Sequence, residues 1–547
     1  MSGGEGVTPP TAGLMMDFPL TTAHFLWRMA NVVGDSTVTS VHDADGTSTI
    51  RRFAEVAQRA RGLAAGLHHL GIQPGDRVGT FAWNSAEHME AYLAVTAMGA
   101  VLHTINLRLH ADQLRWMIGH AGDRAIIVDE SLWPVLSPVL DTLPQVEHVI
   151  IIGDVGESGD PRLHRYSDVI SHPDADYRFP DIDERSAAAL CYTSGTTGNP
   201  KGVSYSHRSI AIHALIMSGA DVFGIRSDDV VLATVPMFHA MGWGLPFLSA
   251  MSGADVVMPG RNLAPASLLR MIRDNGVSWS SGVPTIWSEV ATHVGEHPER
   301  AADLTSLRLL ILGGTVVPAD LIRRFRREFD VDVISGWGMT EIFPGATVAR
   351  VDRDDVTAGA VARRAIAGRI SPFYEIRLVD SDGHVVVHDG TARGEVQVRG
   401  PAVASGYFGS SPVEAADTFD EGWLRTGDVG TVDPRGWLAI VDRAKDMIKS
   451  GGEWISSADL ETALLDHRDV VEAAVVGAPD ERWGERPHAF LVVSACAPAA
   501  LEQQLRALLA QRCPRWWVPD RFEIVESIPR TTTGKPDKKA LRSALGR

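Results

Sequence analysis

The chain has 547 residues, of which 45% are hydrophobic and 22% are charged. This is enough apolar material for at least one full core and for two or more domains, and it excludes disordered and collagen-like proteins. Lysine and arginine total 51 against 68 aspartates and glutamates, so the net charge of −17 argues against nucleic acid and anionic membranes as main partners. Three scattered cysteines exclude a disulfide framework and favour a reducing, cytoplasmic setting.

Short apolar segments alternate with helical patterns through much of the chain. The elements predicted in this part are strands at 76–83, 124–130, 148–154 and 307–314 and helices near 86–99 and at 318–329. Strands that are apolar on both faces and separated by helices predict parallel sheets covered on both sides. Stretches rich in Gly, Asp and Pro near 153–185 and 350–366 are expected to be surface loops, and residues 433–436 a turn.

One segment, Val230–Ala254, lacks charged side chains and is long enough to suggest a membrane span. Pro236, Pro246 and several glycines interrupt it, so a buried strand, a turn and a helix are the better interpretation. The N-terminal residues lack the basic region and the continuous apolar stretch of a secretory signal. We therefore expect neither a transmembrane segment nor a secretory leader.

The pattern becomes shorter and mixed towards the C-terminus. Ser456 and Asp459 have the spacing of a capping box, which begins a helix over 456–467. The other elements predicted here are strands at 488–493 and 521–526 and a helix at 499–512. The sequence thus predicts an α/β protein with a large N-terminal domain of parallel-type sheets layered with helices and a small α+β C-terminal domain. The expected bounds are 1–441, a hinge at 442–446, and 447–547.

The densest chemical signal is the motif YTSGTTGNPKGV at 192–203, which follows an apolar strand. Glycines let backbone N–H groups approach a polyphosphate, hydroxyls add donors and a lysine adds charge. The order of residues is not that of a Walker A motif, so P-loop NTPase chemistry does not follow. A flexible Ser/Thr/Gly loop is the alternative. The candidate phosphate-binding residues are Thr193, Ser194, Gly195, Thr196, Thr197, Gly198 and Lys201.

Seven motifs, in order, resemble those of the adenylate-forming superfamily, which includes acyl-CoA synthetases, adenylation domains and luciferases. Besides the phosphate motif they are PMFHAMGWG (236–244), LGGTVVP (312–318), GWGMTE (336–341), GWLRTGD (422–428), VDRAKDMIKSGGEWISSADLE (441–461) and PRTTTGK (529–535). The resemblance spans nearly the whole chain. It implies that a carboxylic acid reacts with ATP and Mg²⁺ to give acyl-AMP and pyrophosphate, and that a thiol, expected to be CoA, then accepts the acyl group.

The motif GWGMTE provides nucleotide and metal contacts by this resemblance. Gly336 and Gly338 flank Trp337, which is expected to line the adenine and acyl pockets. Thr340 is expected to contact the α-phosphate, and Glu341 to hold the Mg²⁺ that offsets the charge of ATP beside a carboxylate. Relatives usually have tyrosine in place of Trp337, so the bulkier indole leaves the length of the acyl chain open. Outside the motif, Trp337 would be an ordinary core residue.

Two charged residues of later motifs are expected to bind the ribose. Asp428 can accept both ribose hydroxyls with its two carboxylate oxygens, and Arg443 is a second ribose contact by resemblance. Without the motif, Asp428 would read as a solvated aspartate in a turn.

Lys535 is the expected catalytic cation. Attack of a carboxylate on the α-phosphate brings two anions together, a repulsion of roughly 4 kcal/mol at ~4 Å and an effective dielectric of ~20. By resemblance, a mobile C-terminal domain pivots at Lys445 and delivers Lys535 for adenylation; outside the motif, Lys535 would be a solvent-exposed side chain. After rotation of this domain, a Gly-rich stretch would approach the thiol; its residues are Lys449, Ser450, Gly451 and Gly452. The alternative is a simple turn.

The candidate acyl-pocket residues are His239, Trp243, Gly313 and Gly314. His239 matches a gate position in relatives, and a packed histidine is the alternative. An amino-acid substrate would bring an ammonium group that needs a buried partner, but the segment Val235–Phe247 has no acidic residue. The sequence therefore favours a plain carboxylic acid.

The sequence at 448–461 resembles most the branch with medium- and long-chain fatty acyl-CoA synthetases and methylmercaptopropionate-CoA ligase. We predict a stand-alone acyl-CoA synthetase for a medium- or long-chain fatty acid, and a homodimer is expected. Three alternatives stay open: an acyl-AMP ligase that loads an acyl-carrier protein, a ligase for a short thioether or aryl acid, and a catalytically silent acyl or nucleotide sensor.

Overall fold

A computed structural model describes most of the chain. The described residues are 14–154, 159–171, 177–193, 199–451, 453–494, 497–498, 500–530 and 536–545, with the side chains of Pro412 and Glu453 left out.

The first sheet has seven strands and carries the phosphate motif. In spatial order they are Leu163–Arg165, His148–Ile152, Asp123–Asp129, Arg77–Phe81, Val101–Thr104, Ala187–Tyr192 and Gly202–Ser206. All neighbours are parallel except the last pair, which is antiparallel. The phosphate motif therefore begins at the carboxyl end of the strand Ala187–Tyr192, the end at which α/β sheets usually bind ligands.

The second sheet has fifteen strands and combines a parallel half with an antiparallel half. The parallel half, with one antiparallel edge strand, consists of Asp332–Trp337, Leu309–Leu312, Trp279–Gly282, Val230–Leu232, Asp255–Met258, Thr37–Val41 and the edge strand Ser48–Arg52. The antiparallel half consists of Thr347–Val348, Gly368–Ile370, Trp437–Arg443, Trp423–Val432, Gly394–Arg399, Glu375–Val379 and Val385–Val386, with Phe419–Asp420 beside Trp423–Val432.

The third sheet forms the small C-terminal domain. Its strands are Glu453–Ile455, Ile448–Ser450, Gly484–Val493 and Val470–Asp480, with Arg521–Ile524 parallel to Gly484–Val493. The helices of this domain are Ser457–Leu465, Leu501–Arg512 and Lys538–Ala544, with a 3₁₀ turn at Arg515–Trp517. The predicted small α+β domain is confirmed.

Helices cover the sheets of the large domain. Their bounds are Ala23–Asn31, Phe53–His69, Ala86–Ala97, Ala111–Ala121, Trp133–Leu140, Tyr166–Ile170, His207–Met217, Leu245–Ser252, Pro265–Asn275, Pro284–Glu296, Ala319–Phe329, Ala358–Ala365 and Pro412–Ala415, with 3₁₀ turns at Glu130–Leu132, Ala240–Gly244, Pro298–Leu304 and Thr340–Ile342. Ala86–Ala97 is buried on every face, as expected of a helix packed within an α/β core. Within the described ranges, no helix combines the length and the apolar character that crossing a membrane requires.

Two expectations about the large domain were wrong. The stretch 350–366, expected to be a loop, contains the helix Ala358–Ala365, which is capped by Thr357 and held by a buried ion pair between Arg364 and Asp332. The stretch 153–185 likewise contains a short strand and the helix Tyr166–Ile170. The antiparallel half of the second sheet was also not predicted. Its strands alternate buried and partly exposed residues, as in Trp423–Val432, and lack the continuous apolar runs of parallel strands.

The chain passes from the large sheet to the small one between Arg443 and Ile448, and the hinge predicted at 442–446 stays a prediction. The strand Trp437–Arg443 is part of the large sheet, and the strand Ile448–Ser450 opens the small one. Across this junction, the hydroxyl of the fully buried Ser456 donates to the Val441 carbonyl at 3.0 Å and accepts the Asp459 N–H at 3.0 Å. Ser456 therefore caps its helix, as predicted, and also ties it to the last strand of the large domain.

Replacing Ser456→Ala is expected to lower the free energy of unfolding by about 2 kcal/mol, because the helix cap and the bond to Val441 are worth about 1 kcal/mol each. Equilibrium urea unfolding measures this loss. Ser85→Ala is the matched control. Ser85 caps the helix Ala86–Ala97, and the hydrogen bond described for its side chain is the one that it accepts from the His88 N–H. If Ser456→Ala lowers the free energy of unfolding no more than Ser85→Ala does, the bond from Ser456 to Val441 does not contribute to stability.

Candidate active site

The two ends of the phosphate motif are held together at its base. The Thr193 N–H donates to the Lys201 carbonyl at 2.9 Å, and the Lys201 N–H donates to Thr193 Oγ1 at 3.4 Å. These bonds close a loop at the end of the strand Ala187–Tyr192. Five of its candidate residues lie outside the described residues: Ser194, Gly195, Thr196, Thr197 and Gly198.

The motif GWGMTE begins on the last strand of the parallel half and ends in a 3₁₀ turn. Gly338 sits against the backbone, since a Cβ there would lie 2.7 Å from the Gly345 nitrogen, which explains why glycine is needed. The turn places Thr340 and Glu341 in buried positions, and the Tyr205 hydroxyl donates to the Thr340 carbonyl at 2.6 Å. The motif is therefore fixed by packing on both sides.

Glu341 is a buried carboxylate at the edge of a cleft. Burial raises the pKa of its carboxyl, while a hydrogen bond from the Tyr407 hydroxyl to Oε1, at 2.8 Å, opposes that shift. A hard oxygen donor whose negative charge is disfavoured by burial suits a Mg²⁺ ion, which needs few protein ligands when it also binds phosphates. Bound there, Mg²⁺ would offset the negative charge of a polyphosphate.

Asp428 joins two residues that the sequence placed in the nucleotide site. Its Oδ1 lies 2.6 Å from Arg443 Nε, and its Oδ2 accepts the indole N–H of Trp337 at 2.8 Å. The predicted grouping of these three side chains is thus observed. Each carboxylate oxygen already has a protein donor, but its remaining lone pairs can still accept a ribose hydroxyl.

Glu341 and Arg443 line a cleft of about 450 Å³. Its lining is mainly polar and consists of Met339, Glu341, Glu395, Tyr407, Asp417, Thr418, Arg425, Thr426, Gly427 and Arg443. The cleft therefore combines the buried Glu341 carboxylate with two further carboxylates and two arginines, one of which, Arg425, is paired with Glu395. With Mg²⁺ to offset the carboxylates, this set suits a phosphorylated ribonucleotide.

Two of the candidate acyl-pocket residues, Gly313 and Trp243, contact each other next to Gly336. A Cβ added to Gly313 would lie 3.0 Å from the Gly336 carbonyl oxygen and 3.1 Å from Trp243 Cη2, so these three residues meet. Gly314, with a φ of +84°, follows at the surface, and a Cβ there would lie 3.6 Å from Val283. The sequence placed Gly313, Gly314 and Trp243 together, and the structure agrees for Gly313 and Trp243.

Trp243 belongs to a left-handed backbone segment. Residues Ala240–Gly244 all have positive φ values, from 36° to 73°, and all five are buried. Such a conformation costs roughly 1–2 kcal/mol for each residue with a side chain, so tight packing has to maintain it. His239 precedes the segment and is partly buried. Its backbone N–H donates to the Pro236 carbonyl at 3.0 Å. Its predicted role as a gate stays a prediction.

The residues expected to face the thiol lie in the small domain. Lys449 Nζ is 5.6 Å from the ring centroid of Trp454, and Ser450 Oγ is 3.2 Å from Arg486 Nη1. A Cβ on Gly451 would lie 2.7 Å from the Trp483 ring. The fourth residue, Gly452, lies outside the described residues. The described contacts join these positions to their own domain, so their approach to the cleft stays a prediction.

The expected hinge contacts the C-terminal helix Lys538–Ala544. The Lys445 carbonyl accepts a bond from Arg542 at 3.1 Å, and Arg542 also pairs with Asp446. Lys535 lies outside the described residues, but its flanks are held by a β-bridge between Arg530 and Pro536. The helix that follows Lys535 therefore rests on the predicted hinge.

Two tyrosines of this site were missed by the sequence reading. Tyr407 contacts Glu341 and Lys201, and Tyr205 supports Thr340. Tyr407 is far in sequence from both of its partners, and its short Gly-Tyr context carries no spacing that points to them. Only the folded chain shows the connection.

Comparison with known proteins agrees with this geometry. Residues 29–408 match the family described as AMP-binding enzyme, and residues 459–535 match the AMP-binding enzyme C-terminal domain. The second match lies within the predicted small domain.

Three curated relatives are similar over nearly their whole length. The 3-methylmercaptopropionyl-CoA ligase of Ruegeria lacuscaerulensis is 39% identical, with 97% of this chain and 98% of the relative covered. The medium-chain-fatty-acid–CoA ligase of Ectopseudomonas oleovorans is 38% identical, with 98% and 97% covered. The long-chain-fatty-acid–CoA ligase of Thermus thermophilus is 39% identical, with 96% of each covered. The resemblance inferred from the motifs is confirmed.

Solved structures show the same fold. The anthranilate CoA ligase AuaEII in complex with anthranoyl-AMP is 27% identical, with a TM-score of 0.85 and coverage of 97% of this chain and 98% of that one. The amide bond synthetase McbA from Marinactinospora thermotolerans is 27% identical, with a TM-score of 0.83 and coverage of 96% and 99%. The chain belongs to the AMP-binding enzyme family, among the AMP-forming acyl-CoA ligases, which use ATP, Mg²⁺ and CoA.

Proposed function

We propose that this chain activates a medium- or long-chain fatty acid as acyl-AMP and transfers the acyl group to CoA. The observation that carries this proposal is the strand end at Gly336 and Trp337. The Gly336 carbonyl faces Gly313 and Trp243, whereas the Trp337 indole binds Asp428. Contacts among the expected acyl-pocket residues and contacts among the expected nucleotide-site residues therefore lie at adjacent positions of one strand, as the joining of an acid to an α-phosphate requires.

The individual roles follow from the motif resemblance, and the contacts among Asp428, Arg443 and Trp337 support the nucleotide-binding part. Asp428 and Arg443 would bind the ribose, with Trp337 beside the adenine, and Thr340 would contact the α-phosphate. Glu341 would hold Mg²⁺, and Lys535 would enter from the small domain for adenylation. The phosphate loop would comprise residues 193–198 together with Lys201.

The class of acid follows from the lining of the pocket. The segment Val235–Phe247 is largely buried and has no acidic side chain, so it offers no carboxylate to pair with the ammonium of an amino acid. Trp243 and its apolar neighbours suit a hydrocarbon chain. The full-length relatives are named for 3-methylmercaptopropionate and for medium- and long-chain fatty acids, which supports a plain aliphatic acid.

Three further proposals concern organisation. We infer that residues 442–446 are a hinge, that the chain forms a homodimer, and that it acts in the cytoplasm. The change of sheet between Arg443 and Ile448 supports the hinge, and the three scattered cysteines support a reducing compartment. Light scattering of the purified chain tests the dimer, and cell fractionation tests the compartment.

A panel of acids is expected to separate this function from its alternatives. Saturated fatty acids of increasing length should release AMP only when CoA is present, and the rate should peak at medium or long chains. Short thioether acids, aryl acids and amino acids should react more slowly. The measurement is AMP release with CoA, with holo-acyl-carrier protein, or with neither.

Other results would contradict the proposal in distinct ways. Faster release with carrier protein than with CoA would indicate an acyl-AMP ligase. A maximum at a short thioether or aryl acid would change the substrate class. Absence of pyrophosphate release for every acid would indicate a silent sensor.

A further inference from the structure

A short segment at 404–408, here called the strap, touches two parts of the nucleotide cleft. The Ala404 N–H donates to the Glu341 carbonyl at 2.8 Å, and the Tyr407 hydroxyl donates to Oε1 of the same glutamate at 2.8 Å. At the exit of the phosphate loop, Lys201 Nζ lies 4.6 Å from the centroid of the Tyr407 ring. The strap thus joins Glu341 to the phosphate loop.

The backbone of the strap secures the same connection. The Phe408 N–H donates to the Gly202 carbonyl at 2.8 Å, directly after Lys201. A Cβ on Gly202 would lie 3.1 Å from Phe408 Cβ, so the two chains are in close contact there. The backbone on both sides of Tyr407 is therefore anchored, at Ala404 and at Phe408, which fixes the point from which its side chain reaches Glu341 and Lys201.

Glu341 needs such support because its own element is short. It lies in the 3₁₀ turn Thr340–Ile342, and one turn of helix does little to fix the direction of a long side chain. The phenol provides one directional bond to the carboxylate. The face of the same ring attracts the Lys201 ammonium, which is otherwise exposed to solvent.

We propose that Tyr407 is a positioning residue for the metal–nucleotide complex. Its hydroxyl orients the Glu341 carboxylate, and its ring holds Lys201 at the loop exit until the phosphates arrive. The inference rests on the proposed function, in which Glu341 and Lys201 meet Mg²⁺ and the polyphosphate. The two contributions use different atoms, so two substitutions separate them.

The test is calorimetric titration of the full-length protein with MgATP and with metal-free AMP. Tyr407→Phe removes the hydroxyl and keeps the ring, so affinity for MgATP should fall about tenfold, the usual effect of losing one hydrogen bond to a charged group. Affinity for metal-free AMP should stay within about twofold of the original value. Tyr407→Leu also removes the ring and should lower MgATP affinity a further threefold or so.

Tyr374→Phe is the matched control. The Tyr374 hydroxyl is buried and donates to the Ile342 carbonyl at 3.5 Å, so its removal deletes a nearby phenol hydroxyl that does not contact Glu341. Thermal unfolding of each variant checks that it is folded. Equal MgATP affinity in Tyr407→Phe and the unmodified chain would overturn the proposal, and so would an equal loss for MgATP and AMP. Failure of the unmodified chain to bind MgATP would instead overturn the proposed function.

Discussion

Replacing Lys535→Ala is expected to slow formation of acyl-AMP by about 10²–10³-fold and to leave thioester formation from supplied acyl-AMP nearly unchanged. The first step brings a carboxylate against an α-phosphate and needs a cation between them. The second step starts from an acyl-AMP in which that bond already exists. Pyrophosphate exchange measures the first step, and acyl-CoA formation from synthetic acyl-AMP measures the second.

Lys539→Ala is the matched control for this substitution. Lys539 is an exposed lysine on the helix Lys538–Ala544, four residues after Lys535, so its removal changes the local charge equally. Both steps should proceed normally in this variant. An equal loss of both steps in Lys535→Ala would contradict a role confined to adenylation.

The sequence predicts those parts of the site that are carried by local motifs. The phosphate motif was predicted to follow an apolar strand, and it begins directly after the strand Ala187–Tyr192. The strand Asp332–Trp337 that leads into the GWGMTE motif was not predicted. The helix starting after Ser456 was predicted from its cap, since a cap depends only on residues a few positions apart. In both predicted cases the information lies within one short stretch of chain.

The contacts that join these motifs were beyond the reach of the sequence. Trp337 lies on a strand of the parallel half of the second sheet, and its partner Asp428 lies on a strand of the antiparallel half, 91 residues later. Tyr407 and Glu341 are 66 residues apart, so no local pattern connects either pair. The helix Ala358–Ala365 was missed for a similar reason, as its buried Arg364 depends on Asp332 in a distant strand. Tertiary packing overrides composition at such positions.

A buried ion pair fixes the helix that follows Lys535. Lys538 Nζ lies 2.7 Å from Glu461 Oε1 and donates to Ser457 Oγ at 2.7 Å, with only 14% and 18% of the Lys538 and Glu461 side chains exposed. Ser457 in turn donates through its hydroxyl to Asp442 Oδ2 at 2.6 Å, at the start of the predicted hinge. The ion pair therefore connects the start of the C-terminal helix, three residues after Lys535, to the start of the predicted hinge.

Lys538→Met is expected to lower the free energy of unfolding by about 3 kcal/mol at neutral pH, because it leaves Glu461 as a buried carboxylate without its cation. Adenylation should also slow more than thioester formation, because the helix that begins three residues after Lys535 loses its ion pair with Glu461. Chemical unfolding and the two half-reaction assays measure these effects.

The pH dependence of this loss identifies its cause. Burial raises the pKa of Glu461 and Lys538 opposes that shift, so removing the lysine moves the pKa of Glu461 further above its unfolded value. The folded variant then binds more protons than the unfolded chain, and its stability falls as pH rises from the unfolded pKa of about 4.3 to the raised folded pKa. Lys538→Met should therefore cost more at pH ~8 than at pH ~5. Adding Glu461→Gln should remove this difference, and an equal cost at both pH values would show that the Glu461 charge is not responsible.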